Sequence, residues 1–125
     1  MVTLLLMLTL FPYAVHGEDN VFELNNLNDW NKLVKLCVLD TNSEGLIVSL
    51  NADLDFKDGF TPIPYFNGTF NGNNHKLVNI TLDSDETNVG VFRITGKKAD
   101  INNVNVEYSV DSKANNLGFI GYNQG

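Results

Sequence analysis

Leu77-Val78-Asn79-Ile80-Thr81-Leu82, Asn88-Val89-Gly90-Val91-Phe92, Ile101-Asn102-Asn103-Val104-Asn105-Val106 and Asn116-Leu117-Gly118-Phe119-Ile120 follow one another as short apolar segments punctuated by Asn and Gly. The first lines up with the third at an offset of 24, and the second with the fourth at 28; one longer loop around residues 111–115 absorbs the difference. Self-similarity at such a period marks a solenoid, in which each coil stacks on its neighbour because it cannot bury its apolar face alone. The fold class that follows is all-β, a parallel β-helix or β-solenoid.

The composition fits stacking. Asn occurs 19 times against 16 Leu, and Gly 10 times, whereas an average globular chain is led by Leu, Ala and Gly. In stacked parallel coils, Asn at equivalent turns can hydrogen-bond the Asn above and below, and Asn79 over Asn103 is the ladder this spacing suggests. Asn and Gly also tolerate positive φ, which suits the corners of a coil.

Working outward, apolar runs at 46–50, 77–82, 89–92, 101–110 and 117–120 read as strands, each bounded by Gly, Asn or Asp. Before the turn formers of residues 40–45 the period is different. Leu27, Trp30, Leu33, Val34 and Cys37 are spaced by threes and fours, which predicts one amphipathic helix over 28–38 with Asn28 as its cap. Residues 1–17 carry no charge and contain the run from Leu4 to Phe11, too short for the roughly 20 residues of a membrane span. They read as a secretory signal peptide cut before Glu18, with Val15 and Gly17 at the small-residue positions. The expected organisation is therefore a signal peptide at 1–17, a helical cap at 18–45 and coils at 46–125. The mature chain of 108 residues has room for a cap and three coils.

Eight Lys and Arg against 15 Asp and Glu give a net charge of -7, so nucleic acid and anionic membrane surfaces are unfavourable partners. The single Cys37 allows no internal disulfide. Stability has to come from packing and repetition.

The order Asp53-Leu54-Asp55-Phe56, Thr61-Pro62-Ile63, Phe66-Asn67-Gly68-Thr69-Phe70-Asn71-Gly72-Asn73-Asn74-His75-Lys76-Leu77, then the Gly90 and Gly118 segments, resembles the start of a GLUG-motif protein. The resemblance covers residues 21–125 and is most specific over Phe66 to Leu77. It implies a right-handed parallel β-helix of secreted or cell-surface type, similar to bacterial adhesins and to non-catalytic regions of some IgA-specific metallopeptidases. It also implies that the helix plugs the first coil. Pro64, where a Gly commonly follows Pro-Ile, Asn71 in place of Asp, and the bulky Val91-Phe92 and Phe119-Ile120 depart from the pattern.

Candidate chemistry is sparse. His75 is the one histidine beyond residue 17, and without His-Glu-x-x-His a zinc peptidase site is excluded. Asp53 with Asp55, and Asp83 with Asp85, fall on shared strand faces, near the lower end of the spacing that a glycosidase pair needs. Three coils offer little groove for a polysaccharide, so a lyase or hydrolase is the alternative rather than the leading reading. Asp83, Ser84, Asp85, Glu86 and Asn88 offer oxygens for Ca²⁺ without the spacing of an EF-hand loop. No cofactor, catalytic residue or metal site is expected. Asn67-Gly68-Thr69 and Asn79-Ile80-Thr81 are glycosylation sequons, with Asn67 the better acceptor if Asn79 is a ladder residue. Among Tyr65, Phe66, Phe70, Tyr108 and Tyr122, the Phe residues belong inside the coils, and exposed Tyr could stack on sugars. The expected function is a secreted or surface adhesin-like module whose partner is a surface protein or a glycan. The stretch ending at Asn123-Gln124-Gly125 carries no polar cap, so the solenoid end is expected to be open and to self-associate, or to continue in a longer adhesin.

Overall fold

The structure, a computed structural model, describes residues 20–39 and 41–125; the expected signal peptide lies outside these residues. The chain is a parallel β-solenoid of about four turns, with 43% of the described residues in strands and one short helix among them. Coil 1 holds β1 (Val21–Leu24) and α1 (Leu27–Leu36), and coil 2 holds β2 (Ile47–Leu50), β3 (Leu54–Asp55) and β4 (Ile63–Phe66). Coil 3 holds β5 (Thr69–Asn71), β6 (Lys76–Leu82), β7 (Asn88–Val89) and β8 (Phe92–Thr95). Coil 4 holds β9 (Asp100–Asn102), β10 (Asn105–Val110), β11 (Asn116–Leu117) and β12 (Ile120–Asn123). Among the described residues, no helix is long and apolar enough to cross a membrane.

Every strand pairing is parallel. The first side stacks β1-β2-β5-β9, the second β3-β6-β10 and the third β4-β8-β12, with a short β7-β11 ladder between the last two. The stack turns sequence repeats into columns of like residues: Val48-Phe70-Ile101, Leu54-Leu77-Val106 and Ile63-Phe92-Ile120. Phe66, Phe70, Phe92 and Phe119 form a chain of rings along the axis, with centroids 5.4 to 6.2 Å apart. Edge-to-face aromatic packing of this kind adds to the burial of large apolar surfaces.

Three sequence expectations change. The 28-residue offset is the true register, since Asn88 pairs with Asn116 and Phe92 with Ile120. The 24-residue offset is not, because Leu77 sits beside Val106 and a bulge between Val106 and Tyr108 resets the pairing to Ile80 with Tyr108. The strand ladder also begins at Val21 rather than after residue 45, which makes four turns out of the expected three. Finally, residues 89–92 and 101–110 each bend at a corner and are split between two strands.

The helix begins one residue and ends two residues earlier than the predicted 28–38. Its cap is Asn26, whose Oδ1 accepts from the Asp29 N–H at 2.9 Å, while Asn28 lies inside the first turn. Asn26 relieves one of the unpaired N–H groups of the helix start. Trp30, Leu33 and Cys37 form the buried stripe, and the Trp30 indole N–H donates to the Thr61 carbonyl at 2.8 Å. The ring also packs on Phe56 and Phe60.

Gly68 and Gly72 explain the most specific part of the motif. A Cβ at Gly68 would lie 2.5 Å from the Leu46 carbonyl oxygen, and one at Gly72 2.4 Å from that of Asn103. Neighbouring coils touch backbone to backbone at these corners. The left-handed corners are taken largely by Asn: Asn73, Asn74, Asn79 and Asn103 have φ of 52°, 64°, 60° and 54°.

Candidate binding face

On the second side of the stack, β3 and β6 bury Leu54, Leu77, Ile80 and Leu82 and turn Asp53, Asp55, Asn79 and Thr81 outward, with the left-handed Asn79 interrupting the alternation between Leu77 and Ile80. The two aspartates share a face, as their spacing predicts, but each has its own partners. Asp53 Oδ1 accepts from the Lys76 N–H at 2.9 Å and lies 3.1 Å from His75 Nδ1. Asp55 Oδ1 accepts from Asn79 Nδ2 at 2.8 Å and from the Lys57 N–H at 3.0 Å. The backbone N–H of Lys76 and then His75 hold the Asp53 carboxyl below its ordinary range, and the Asn79 amide and then the Lys57 N–H do the same for Asp55.

These bonds are stronger to the ionised carboxylates than to the protonated ones, so the extra stability they give is present above the ordinary pKa of 3.8. It is lost as the pH falls through the lower folded values. Acid titration followed by circular dichroism should show stability declining below that pH. Asp53→Asn and Asp55→Asn should each flatten the decline, and an unchanged acid limb would contradict the assignment.

The ladders differ from the expected one. Asn79 lies on β6 and bonds Asp55, whereas Asn103 sits in the corner after β9 and donates to Asn102 Oδ1 at 3.3 Å, so the two are not stacked. The amide ladders are Asn71 with Asn102 at 3.1 Å, Asn88 with Asn116 at 2.8 Å, and Asn25 with Asn51 at 2.9 Å. Of the two sequon residues, Asn67 is half-buried and its Oδ1 accepts from the Lys98 N–H at 2.7 Å, while Asn79 is exposed and its Nδ2 donates to Asp55 Oδ1 at 2.8 Å.

The oxygens weighed for Ca²⁺ are engaged separately. Asp85 accepts from the Lys113 N–H, the Ser84 carbonyl accepts from the Ser112 hydroxyl, Glu86 pairs with Arg93 and Asn88 with Asn116. No three His, Cys, Asp or Glu among the described residues converge into a metal set. Cys37 is buried, and burial pushes its thiol up to about 12 even though the Ser43 side chain acts in the opposite direction. A thiol held protonated is a weak nucleophile, and its place is in the core.

Beside Asp55 the second side carries a groove of about 490 Å³ lined by Lys57, Asn79, Ile80, Thr81, Glu107, Tyr108 and Ser109. Residues far apart in sequence meet there because the coils stack. Tyr108 is legible as an exposed aromatic, Asn79 as a polar turn residue and Thr81 as part of a sequon; Lys57, Glu107 and Ser109 carry no motif. Of the remaining aromatics, Phe66 and Phe70 are core, Tyr65 donates its hydroxyl to Gln124 Oε1 at 2.7 Å, and Tyr122 is exposed. Set against protein-family models, curated proteins and solved structures, the chain finds no match.

Proposed function

We propose that this β-solenoid is a secreted or cell-surface interaction module of GLUG, adhesin-like type that binds a glycan along its second side. The groove over the sheet of β3, β6 and β10 carries the reading. It places an aromatic ring, amide and hydroxyl groups and one charge of each sign on a rigid parallel sheet, a set of groups suited to sugar rings and their hydroxyls. A stiff stack supplies this surface already ordered, which lowers the entropic cost of binding.

The state of the carboxylates favours binding over hydrolysis. A glycosidase acid needs a raised pKa and a partner across a cleft, whereas Asp53 and Asp55 are both lowered and are fixed by the strands beside them. A glycan array, followed by titration of the best ligand, tests the reading. Lys57→Ala and Tyr108→Ala should weaken binding without loss of the circular dichroism signal. No binding to any glycan would refute the assigned partner. Release of reducing or unsaturated ends, abolished by the Asp53→Asn/Asp55→Asn double variant, would make the protein an enzyme instead.

A further inference from the structure

Asp55 stands beside the groove rather than in its lining, yet it holds two residues that do line it. Its Oδ1 accepts from Asn79 Nδ2 at 2.8 Å and from the Lys57 N–H at 3.0 Å. Lys57 follows β3 in coil 2 and Asn79 belongs to β6 in coil 3, so one carboxylate oxygen ties two neighbouring coils together at the groove. Asn79 reaches Asp55 from a left-handed backbone, φ 60°, at the point where the register of β6 against β10 shifts. A bulge of this kind re-aims the side chain at which it forms.

The chemistry of the pair fixes more than a distance. A primary amide has two unlike ends, an NH₂ group that donates and an oxygen that accepts, whereas an ionised carboxylate only accepts. Asp55 can therefore take the amide of Asn79 by its NH₂ end alone. The Asn79 amide and then the Lys57 N–H keep this carboxyl ionised into acid, so the same end is held throughout the neutral range. With its NH₂ group tied to Asp55, Asn79 has its oxygen left for the groove. Lys57, whose backbone the same carboxylate anchors, offers the opposite polarity there, since an ammonium only donates.

We infer that Asp55 is the positioning residue of the groove: it sets the Asn79 amide with its oxygen toward the ligand, so that the groove takes glycans with a free hydroxyl to donate at that point and refuses those whose hydroxyls are etherified. The choice of ligand rests on the glycan assignment above; the orientation of the amide does not.

NMR spectroscopy of the 125-residue chain reads the orientation with no ligand present. The charged and titratable groups around Asp55 are Asp53, Lys57 and Asp58 on its own segment, His75 and Lys76 beside Asp53, and Glu107 and Tyr108 across the groove. On acidification the Asn79 side-chain amide signals should move with a single inflection, at the pH where the Asp55 carboxyl carbon titrates, below the ordinary 3.8. Asp55→Asn should abolish that inflection, while Asp53→Asn and Glu107→Gln should keep it. If acid unfolds the chain first, spectra at neutral pH decide: Asp55→Asn should displace the Asn79 amide signals and leave the backbone amides of β6 in place. On the glycan array, Asp55→Asn should weaken binding about three- to tenfold, the range for one hydrogen bond, and permethylated forms of the bound glycans should not bind. Asn79 amide signals that ignore Asp55 in both measurements, or permethylated glycans bound as well as their parents, would overturn the inference. A chain that shows the linked titration and binds no glycan would sink the glycan assignment and leave the role of Asp55 standing.

Discussion

Phe92→Ala is expected to destabilise the protein by about 3–5 kcal/mol, the range for removing a fully buried Phe. Phe92 is 0% exposed and sits at the centre of the ring column, 5.4 Å from Phe66 and 5.5 Å from both Phe70 and Phe119. Its backbone is held on both sides, by Ile63 in coil 2 and Ile120 in coil 4, so the coils cannot close over the vacated space without breaking register. A loss of this size is a large share of the roughly 5–15 kcal/mol that a domain commonly has. Urea unfolding followed by circular dichroism should show the midpoint falling by at least about 1 M. Phe119→Ala, at the half-buried end of the same column, should cost clearly less. Equal costs at the two positions would mean that the column is not packed as described.

Trp30→Ala is expected to cost a comparable ~3–5 kcal/mol, for a different reason. Trp30 covers Phe56 and Phe60, with centroids 5.1 and 5.7 Å away, and ties α1 to the Thr61 carbonyl. Its removal opens the capped end and leaves two aromatic rings facing solvent. Trp30→Phe separates the contributions, since it keeps much of the packing but strands the Thr61 oxygen and should cost about 1–3 kcal/mol. Binding of a hydrophobic dye should rise for the alanine variant and change little for the phenylalanine one. A fully stable Trp30→Ala protein would show that α1 is not the cap.

How far these features can be read without a structure depends on the physics behind each. The 28-residue repeat was legible because Asn88 and Asn116 open equivalent corners, and like residues in like corners leave a sequence trace. The 24-residue match misled because strands on different sides of one solenoid share the same alternation of Asn with apolar residues, and the extra residue of the bulge lies on β6 at the left-handed Asn79, which reads in sequence like any other Asn. β1 was missed because Val21–Leu24 buries one residue fully, Leu24, and becomes a strand by pairing with β2. Asn26 and Asn28 both stand at the start of the apolar periodicity of Leu27, Trp30 and Leu33, and the cap is decided by which side chain reaches the Asp29 N–H. The Asp53 and Asp55 face followed directly from spacing. Their separate partners, and the groove beside them, depend on which coil lies above which, and strand register alone determines that.

In a stack where each coil contacts mainly its neighbours, stability is distributed rung by rung. Trp30 is the only tryptophan of the chain and lies over Phe56 and Phe60, so its fluorescence reports the state of the helix-covered rung and is silent about the coils beyond it.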